Sequence, residues 1–72
     1  MQEITINTPQ ITLGQVLKEA GIIDSGGAAK WFLRENTVQI NGEDDNRRGR
    51  KLNSGDVVTL PDGTQFTIVV AI

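Results

Sequence analysis

Cysteine, histidine and tyrosine are absent from the 72 residues. Without cysteine no disulfide can stabilise a small fold and no thiolate can hold a metal. Without histidine the commonest imidazole ligand and general base is missing. Aromatics are scarce, namely Trp31, Phe32 and Phe66. No apolar run approaches the roughly 18 residues that would cross a bilayer, so no membrane partner is expected. The start, Met1-Gln2-Glu3-Ile4, lacks the basic opening and apolar stretch of a secretion signal, and a cytoplasmic protein is expected. Ser25 and Ser54 have no evident base beside them. A chain of this length leaves little room for a closed pocket as well as a core. A binding module is expected rather than an enzyme, with no cofactor and no metal.

Positive charge is also scarce, seven Lys and Arg against nine Asp and Glu, and it is unevenly spread. Arg47, Arg48, Arg50 and Lys51 place four of the seven cations within five residues. The rest of the chain carries three cations against nine acids, a balance of −6. A cluster of that kind repels itself and is costly to bury, so it must face water or a polyanion. The net charge of −2 gives no long-range pull, so any attraction is local to the cluster.

Glu3 to Asn7 alternates and is rich in β-branched residues, which predicts a short strand ended by Pro9. Thr12 and Gln15 form a capping box, with Ile11 and Val16 as a hydrophobic staple. Leu13, Val16, Leu17 and Ala20 then share one helical face. Gly21 supplies the left-handed residue that closes the helix, and Ile22 folds back onto Leu17. Asp24 or Ser25 is expected to open a second helix, with Gly26 and Gly27 in its first turn. Ala29, Phe32 and Leu33 form its apolar face, Trp31 lies on the flank, and Asn36 ends it.

The apolar period then changes from 3.6 to 2. Val38-Gln39-Ile40 is a strand and Asn41-Gly42 a turn. Residues 43–54 read as loop, anchored by Leu52. Asp56 to Leu60 is a strand, Pro61-Asp62-Gly63 a turn, and Thr64 to Ile72 a last strand. That strand sets Phe66, Ile68, Val70 and Ile72 on one face, which suits either a buried strand or an exposed edge. The expected fold class is α+β, with two N-terminal helices packed on a small antiparallel sheet after one short strand. A monomer is expected.

Four groups of residues carry possible chemistry. In the basic loop, arginine adds a two-pronged hydrogen-bond fork to its charge, and Gly49 leaves the backbone open. Glu43, Asp44 and Asp45 either neutralise this loop or hold its arginines in place. Ser25-Gly26-Gly27 opens a helix whose N–H groups can meet a phosphate, with Lys30 and Arg34 beside it. The plainer reading is that these glycines let the two helices pack closely. Trp31 can stack on a base, but a tryptophan next to Phe32 and Leu33 is more often core. The acidic trio lacks the spacing of a calcium loop and reads as solvated.

Several segments recur together and in order: Thr12-Leu13-Gly14-Gln15-Val16-Leu17-Lys18, Ser25-Gly26-Gly27-Ala28-Ala29-Lys30-Trp31-Phe32-Leu33, Val38-Gln39-Ile40-Asn41-Gly42, Asn46-Arg47-Arg48-Gly49-Arg50-Lys51-Leu52 and Gly55-Asp56-Val57-Val58. This pattern resembles the S-four RNA-binding domain, the alpha-L RNA-binding motif of small-subunit ribosomal protein four. More narrowly it is similar to the small stand-alone bacterial members of the YaaA type. The resemblance covers roughly residues 11–60, and one S-four-like domain is expected over residues 1–72. It implies a non-catalytic module for structured RNA, ribosomal or transfer RNA, that could work on a ribosomal particle. Lys18, Lys30 and Arg34 would then join the loop cations on the RNA-facing surface, with Ser25, Gly26 and Gly27. Many relatives place arginine where this chain has Gly26, and many have a basic start to the first helix, so residues 47–51 must carry more of the contact here. The competing expectations are an adaptor that sets the same loop against an acidic protein, and a duplex-DNA binder. A ubiquitin-like sulfur carrier is not expected, because that chemistry needs a terminal Gly-Gly and the sequence reads Ala71-Ile72 there.

Overall fold

The computed structural model describes residues 2–71. The alternating start forms β1, Gln2–Ile6, and a second short strand, β2, covers Ile11–Thr12. The capping box forms as predicted. Thr12 Oγ1 accepts the Gln15 N–H at 3.3 Å, and Gln15 Oε1 accepts the Thr12 N–H at 3.0 Å. It opens α1, Leu13–Glu19, whose Leu13, Val16 and Leu17 are buried. At its end the Gly21 N–H donates to Lys18 O at 3.0 Å and the Ile22 N–H to Leu17 O at 2.9 Å. This is a Schellman closure, and it requires the left-handed backbone that Gly21 adopts at φ 77°.

The second helix, α2, covers Ala28–Glu35, so it begins later than Asp24 or Ser25. Gly27 is its N-cap and has no side chain to accept a backbone N–H. Two consecutive glycines also pay the largest backbone entropy on entering a helix. Residues 25–27 instead make a turn, in which the Ala28 N–H donates to Ser25 O at 3.1 Å and the Ala29 N–H to Gly26 O at 3.3 Å. Asn36 ends the helix as predicted. Its backbone N–H and its side-chain amide both donate to Phe32 O, at 2.8 and 3.1 Å.

The sheet departs from the sequence reading in three ways. Strands β3 (Val38–Ile40) and β4 (Glu43–Asp45) form a hairpin, so residues 43–45 are not loop. Asn41 and Gly42 both have positive φ, as a two-residue hairpin turn demands. The Glu-Asp-Asp strand carries no apolar signal. Backbone pairing with β3 holds it, helped by Gln39 Nε2 donating across the pair to Asp44 Oδ1 at 3.3 Å, at a sheet edge where charge is tolerated and discourages further pairing. Second, β5 (Lys51–Leu52) pairs antiparallel with β2, setting Leu52 opposite Ile11. Leu52 is the buried anchor that the sequence indicated.

Third, the main sheet is mixed rather than antiparallel. With β6 at Val57–Thr59 and β7 at Gln65–Val70, its order is β1-β7-β6-β3-β4. The outer pair is parallel, with Ile4 opposite Ile68 and Ile6 opposite Val70. Parallel neighbours need a long crossover, and almost the whole chain lies between these two strands. The helices accordingly follow β1 and β2 rather than beginning the fold. Since β7 has a strand on each side, its apolar face is interior, with Phe66 and Ile68 buried and Val70 half-buried. Ile72 lies outside the described residues. The core joins Leu13, Leu17, Leu52, Ile40, Val58 and Ile68.

Trp31 overturns a further expectation, since it is 60% exposed rather than core. On α2 the inward stripe is Ala29 and Leu33, four residues apart, with Phe32 partly buried beside them. Trp31 lies two residues from each of these, which at 3.6 residues per turn puts it on the far side.

Gly21→Ala tests the α1 closure. No heavy atom lies within 4 Å of the added methyl group, so its cost is purely the left-handed backbone. It should lower stability by about 1 kcal/mol in urea unfolding and the melting temperature by about 4–8 °C. An unchanged midpoint would show that the helix end can relax to another closure.

Candidate nucleic-acid interface

The basic segment runs from β4 to β5 and is fastened to the start of α1 through the backbone. The Leu13 N–H donates to Arg50 O at 2.8 Å, and the Gly14 N–H donates to Arg48 O at 2.9 Å. These are among the helical N–H groups that have no partner within their own helix. The β2–β5 pairing sets Thr12 opposite Lys51 and holds the segment from its other side. Its carbonyls thus turn toward the helix while Arg47, Arg48 and Lys51 remain exposed and Arg50 is half-buried.

Gly14 lies at the centre of this approach. A methyl group at that position would lie 3.4 Å from Ala29 Cβ and 3.4 Å from Arg48 O. Helix α1, helix α2 and the basic segment therefore meet at one residue without a side chain. The close helix contact expected of Gly26 and Gly27 is made here instead. Those two glycines are exposed, and Gly26 has open space where a side chain would be. The N–H groups of Ala28 and Ala29, which this turn would offer to a phosphate, are occupied by Ser25 O and Gly26 O.

Asp45 organises the charge. Its Oδ1 accepts from the Arg47 backbone N–H at 2.9 Å and from Arg47 Nε at 3.1 Å. Its Oδ2 accepts from Arg47 Nη2 and from Arg50 Nη1, both at 2.8 Å. The Asp45 side chain is only 8% exposed, whereas Arg47 is 68% exposed. The hydrogen bonds from the Arg47 side chain outweigh burial and, with help from Arg50, hold the Asp45 carboxyl far below its usual range. The same pairing raises Arg47. One carboxylate shared by two guanidinium groups leaves this trio with a net charge of about +1 at neutral pH. Arg48 and Lys51 make no ion pair with a described residue.

The remaining candidates lie on the helices. Lys30 and Arg34 are exposed on α2, where the Arg34 guanidinium carbon lies 5.5 Å from the centre of the Trp31 ring. Lys18 is exposed on α1 and lines a different, shallow concavity with Thr5, Asn7, Gln15 and Glu19. Lys18 follows Gly14 by four residues, about one turn along α1, and no residue of the basic segment lines that concavity. Glu43, Asp44 and Asp45 alternate along β4 and do not converge. No cluster of three or more His, Cys, Asp or Glu suited to a metal occurs among the described residues. No helix of the described residues is long and apolar enough to cross a membrane.

Two residues besides the expected RNA contacts support the site. Asp45 was legible in part, since acids near the loop were expected either to neutralise the arginines or to hold them. Gly14 was not singled out, although a glycine inside a helix costs about 1 kcal/mol against alanine and so calls for a reason.

A sequence profile of the family described as S4 domain matches residues 4–69. The chain is also similar to the probable ribosome maturation protein RlbA of Bacillus subtilis (strain 168). The two are 58% identical over 66 residues, covering 92% of this chain and 93% of that protein.

Two substitutions test how the site is held. Because the folded carboxyl of Asp45 is depressed, its stabilising contribution is present above the unfolded value of about 3.9 and is lost as pH falls below it. Asp45→Asn should therefore reduce the loss of melting temperature between about pH 4 and pH 2. At neutral pH it should speed hydrogen exchange at the Leu13 and Gly14 amides; unchanged exchange would mean that the ion pairs do not hold the segment. Gly14→Val should cost about 1–3 kcal/mol through crowding against Ala29 and the Arg48 carbonyl, read by urea unfolding.

Proposed function

The chain belongs to the S4 domain family, and from that premise we propose that it is a non-catalytic RNA-binding module that acts in ribosome assembly. The observation that carries this reading is the cationic segment fastened to α1, with Arg48 and Lys51 in no ion pair among the described residues of an otherwise acidic chain. Held in place by the helix N–H groups, these side chains lose little backbone entropy on binding a phosphate. The relative's name supplies the process, ribosome maturation, and points to ribosomal RNA ahead of transfer RNA. The reading as non-catalytic rests on the residue inventory, which lacks histidine, cysteine and tyrosine.

Recognition is of backbone and shape in the main. Phosphate contacts position a protein on a helix without reading its bases, and a double-stranded RNA groove offers shape and 2′-hydroxyls more than base edges. Arg47 and Arg50 serve first to shape the loop through Asp45, and Arg48 and Lys51 are the principal phosphate contacts. Lys30 and Arg34 extend the cationic surface along α2, while Lys18, with Ser25, Gly26 and Gly27, lies toward its margins.

Arg48→Glu combined with Lys51→Glu is the discriminating variant, since it spares the Asp45 pairs and should leave the unfolding midpoint nearly unchanged. Binding to ribosomal RNA fragments should be lost at moderate salt. The neutral double variant, Arg48→Ala with Lys51→Ala, should lower the slope of log K against log salt by about 2. Unchanged affinity in both variants would overturn the proposed contact. Binding that favours matched duplex DNA, or partners that survive RNase in a pull-down, would replace the RNA reading with a DNA-binding or adaptor role.

A further inference from the structure

Of the large apolar side chains among the described residues, Trp31 alone is exposed. A single apolar side chain in water is ordinary by itself. Three further observations give this one a purpose. The Arg34 guanidinium carbon lies over its ring, 5.5 Å from the centroid and within cation–π range. Lys30, Trp31 and Arg34 fall within about 100° of one another around α2, so they share one exposed face. Finally, this helix adjoins the basic segment, because Gly14 packs against both Ala29 of α2 and the backbone of Arg48.

We propose that the Trp31–Arg34 pair is a stacking platform for one unpaired RNA base, with Lys30 close to that nucleotide's phosphate. This rests on the RNA-binding reading above and adds to it the class of RNA. The favoured ligand is a helix interrupted by a bulged, unpaired nucleotide, rather than a continuous duplex. An indole cannot neutralise phosphate, and a base that is already paired and stacked exposes no π-face to it. An unpaired base offers such a face whatever its identity, so the platform selects RNA structure rather than sequence. The two cations of this face favour a polyanion over an apolar protein surface. Glu35, also exposed on α2, lies at the flank nearer Trp31 than Lys30 and limits how far a phosphate backbone can continue in that direction.

Trp31 is the sole tryptophan, so its emission reports on the platform directly. The probes are a perfectly paired RNA hairpin closed by a tight loop and the same hairpin carrying one bulged nucleotide, titrated into the full chain. The bulged hairpin should bind more tightly and quench the emission more strongly. Trp31→Ala should weaken binding of the bulged RNA by roughly 5- to 100-fold and abolish the preference. Trp31→Phe should keep part of it. The salt slope should stay the same in both variants, because neither removes a cation. Trp31 is exposed, so an unchanged unfolding midpoint should accompany Trp31→Ala, and the emission of the unmodified protein gives a readout independent of any variant. Equal affinity for both hairpins, RNA binding without quenching, or an undiminished preference in Trp31→Ala would overturn the platform while leaving RNA binding intact. Failure of the unmodified chain to bind either hairpin or ribosomal RNA at low salt would overturn both readings. Quenching by an acidic protein partner but not by RNA would overturn the platform in favour of an adaptor.

Discussion

The first amides of α1 must be satisfied from outside the helix, and the carbonyls of Arg48 and Arg50 do so. Much of the molecule's geometry depends on this exchange. It places residues distant in sequence side by side, aligns β5 against β2, and brings the segment onto Gly14, where α2 also arrives. The positive end of a helix is an unfavourable neighbour for cationic side chains. Here the helix end is neutralised by backbone carbonyls and by the Thr12–Gln15 capping box, while the Arg47, Arg48 and Lys51 side chains remain exposed to solvent.

Charge is arranged with the same economy. Asp45 lies at the end of β4, where pairing with Val38 fixes its backbone and burial reduces its exposure. Its carboxylate then fixes two arginines without consuming the whole cluster. The local charge stays positive through Arg48 and Lys51, and the shape of the loop is set by Arg47 and Arg50. An exposed ion pair contributes little by itself. Two guanidinium groups on one nearly buried carboxylate, with a backbone N–H as well, make a more specific arrangement than a count of surface charges conveys. The exposed face of α2 complements this centre with the one aromatic ring that remains in solvent.

Where local signals agreed, the residues were sufficient to read the structure. Thr12, Gln15, Leu13, Val16, Leu17 and Gly21 each specify part of α1, and helix, cap and closure all form. Asn41-Gly42 specified a turn by its tolerance of positive φ, and Leu52 an anchor by its isolation in a polar stretch. Glu43-Asp44-Asp45 could not announce a strand, because it has no apolar alternation and its side chains are of types depleted from strands. Trp31 misled for a related reason. Its neighbours Phe32 and Leu33 are at least partly buried, but the direction of a helical side chain depends on where Ala29 and Leu33 find the core.

The sequence by itself determined that cations are concentrated in residues 47–51, that the chain has no histidine, cysteine or tyrosine, and that a capped helix follows residue 12. These are properties of composition or of contacts spanning a few residues. Only the tertiary structure decided that β1 lies parallel to β7, that the basic segment is fastened to α1, that Asp45 rather than Glu43 or Asp44 holds the arginines, and that Trp31 faces solvent. Each of those depends on which surfaces meet when the whole chain buries its apolar residues, and burial is a collective outcome that no short stretch encodes alone.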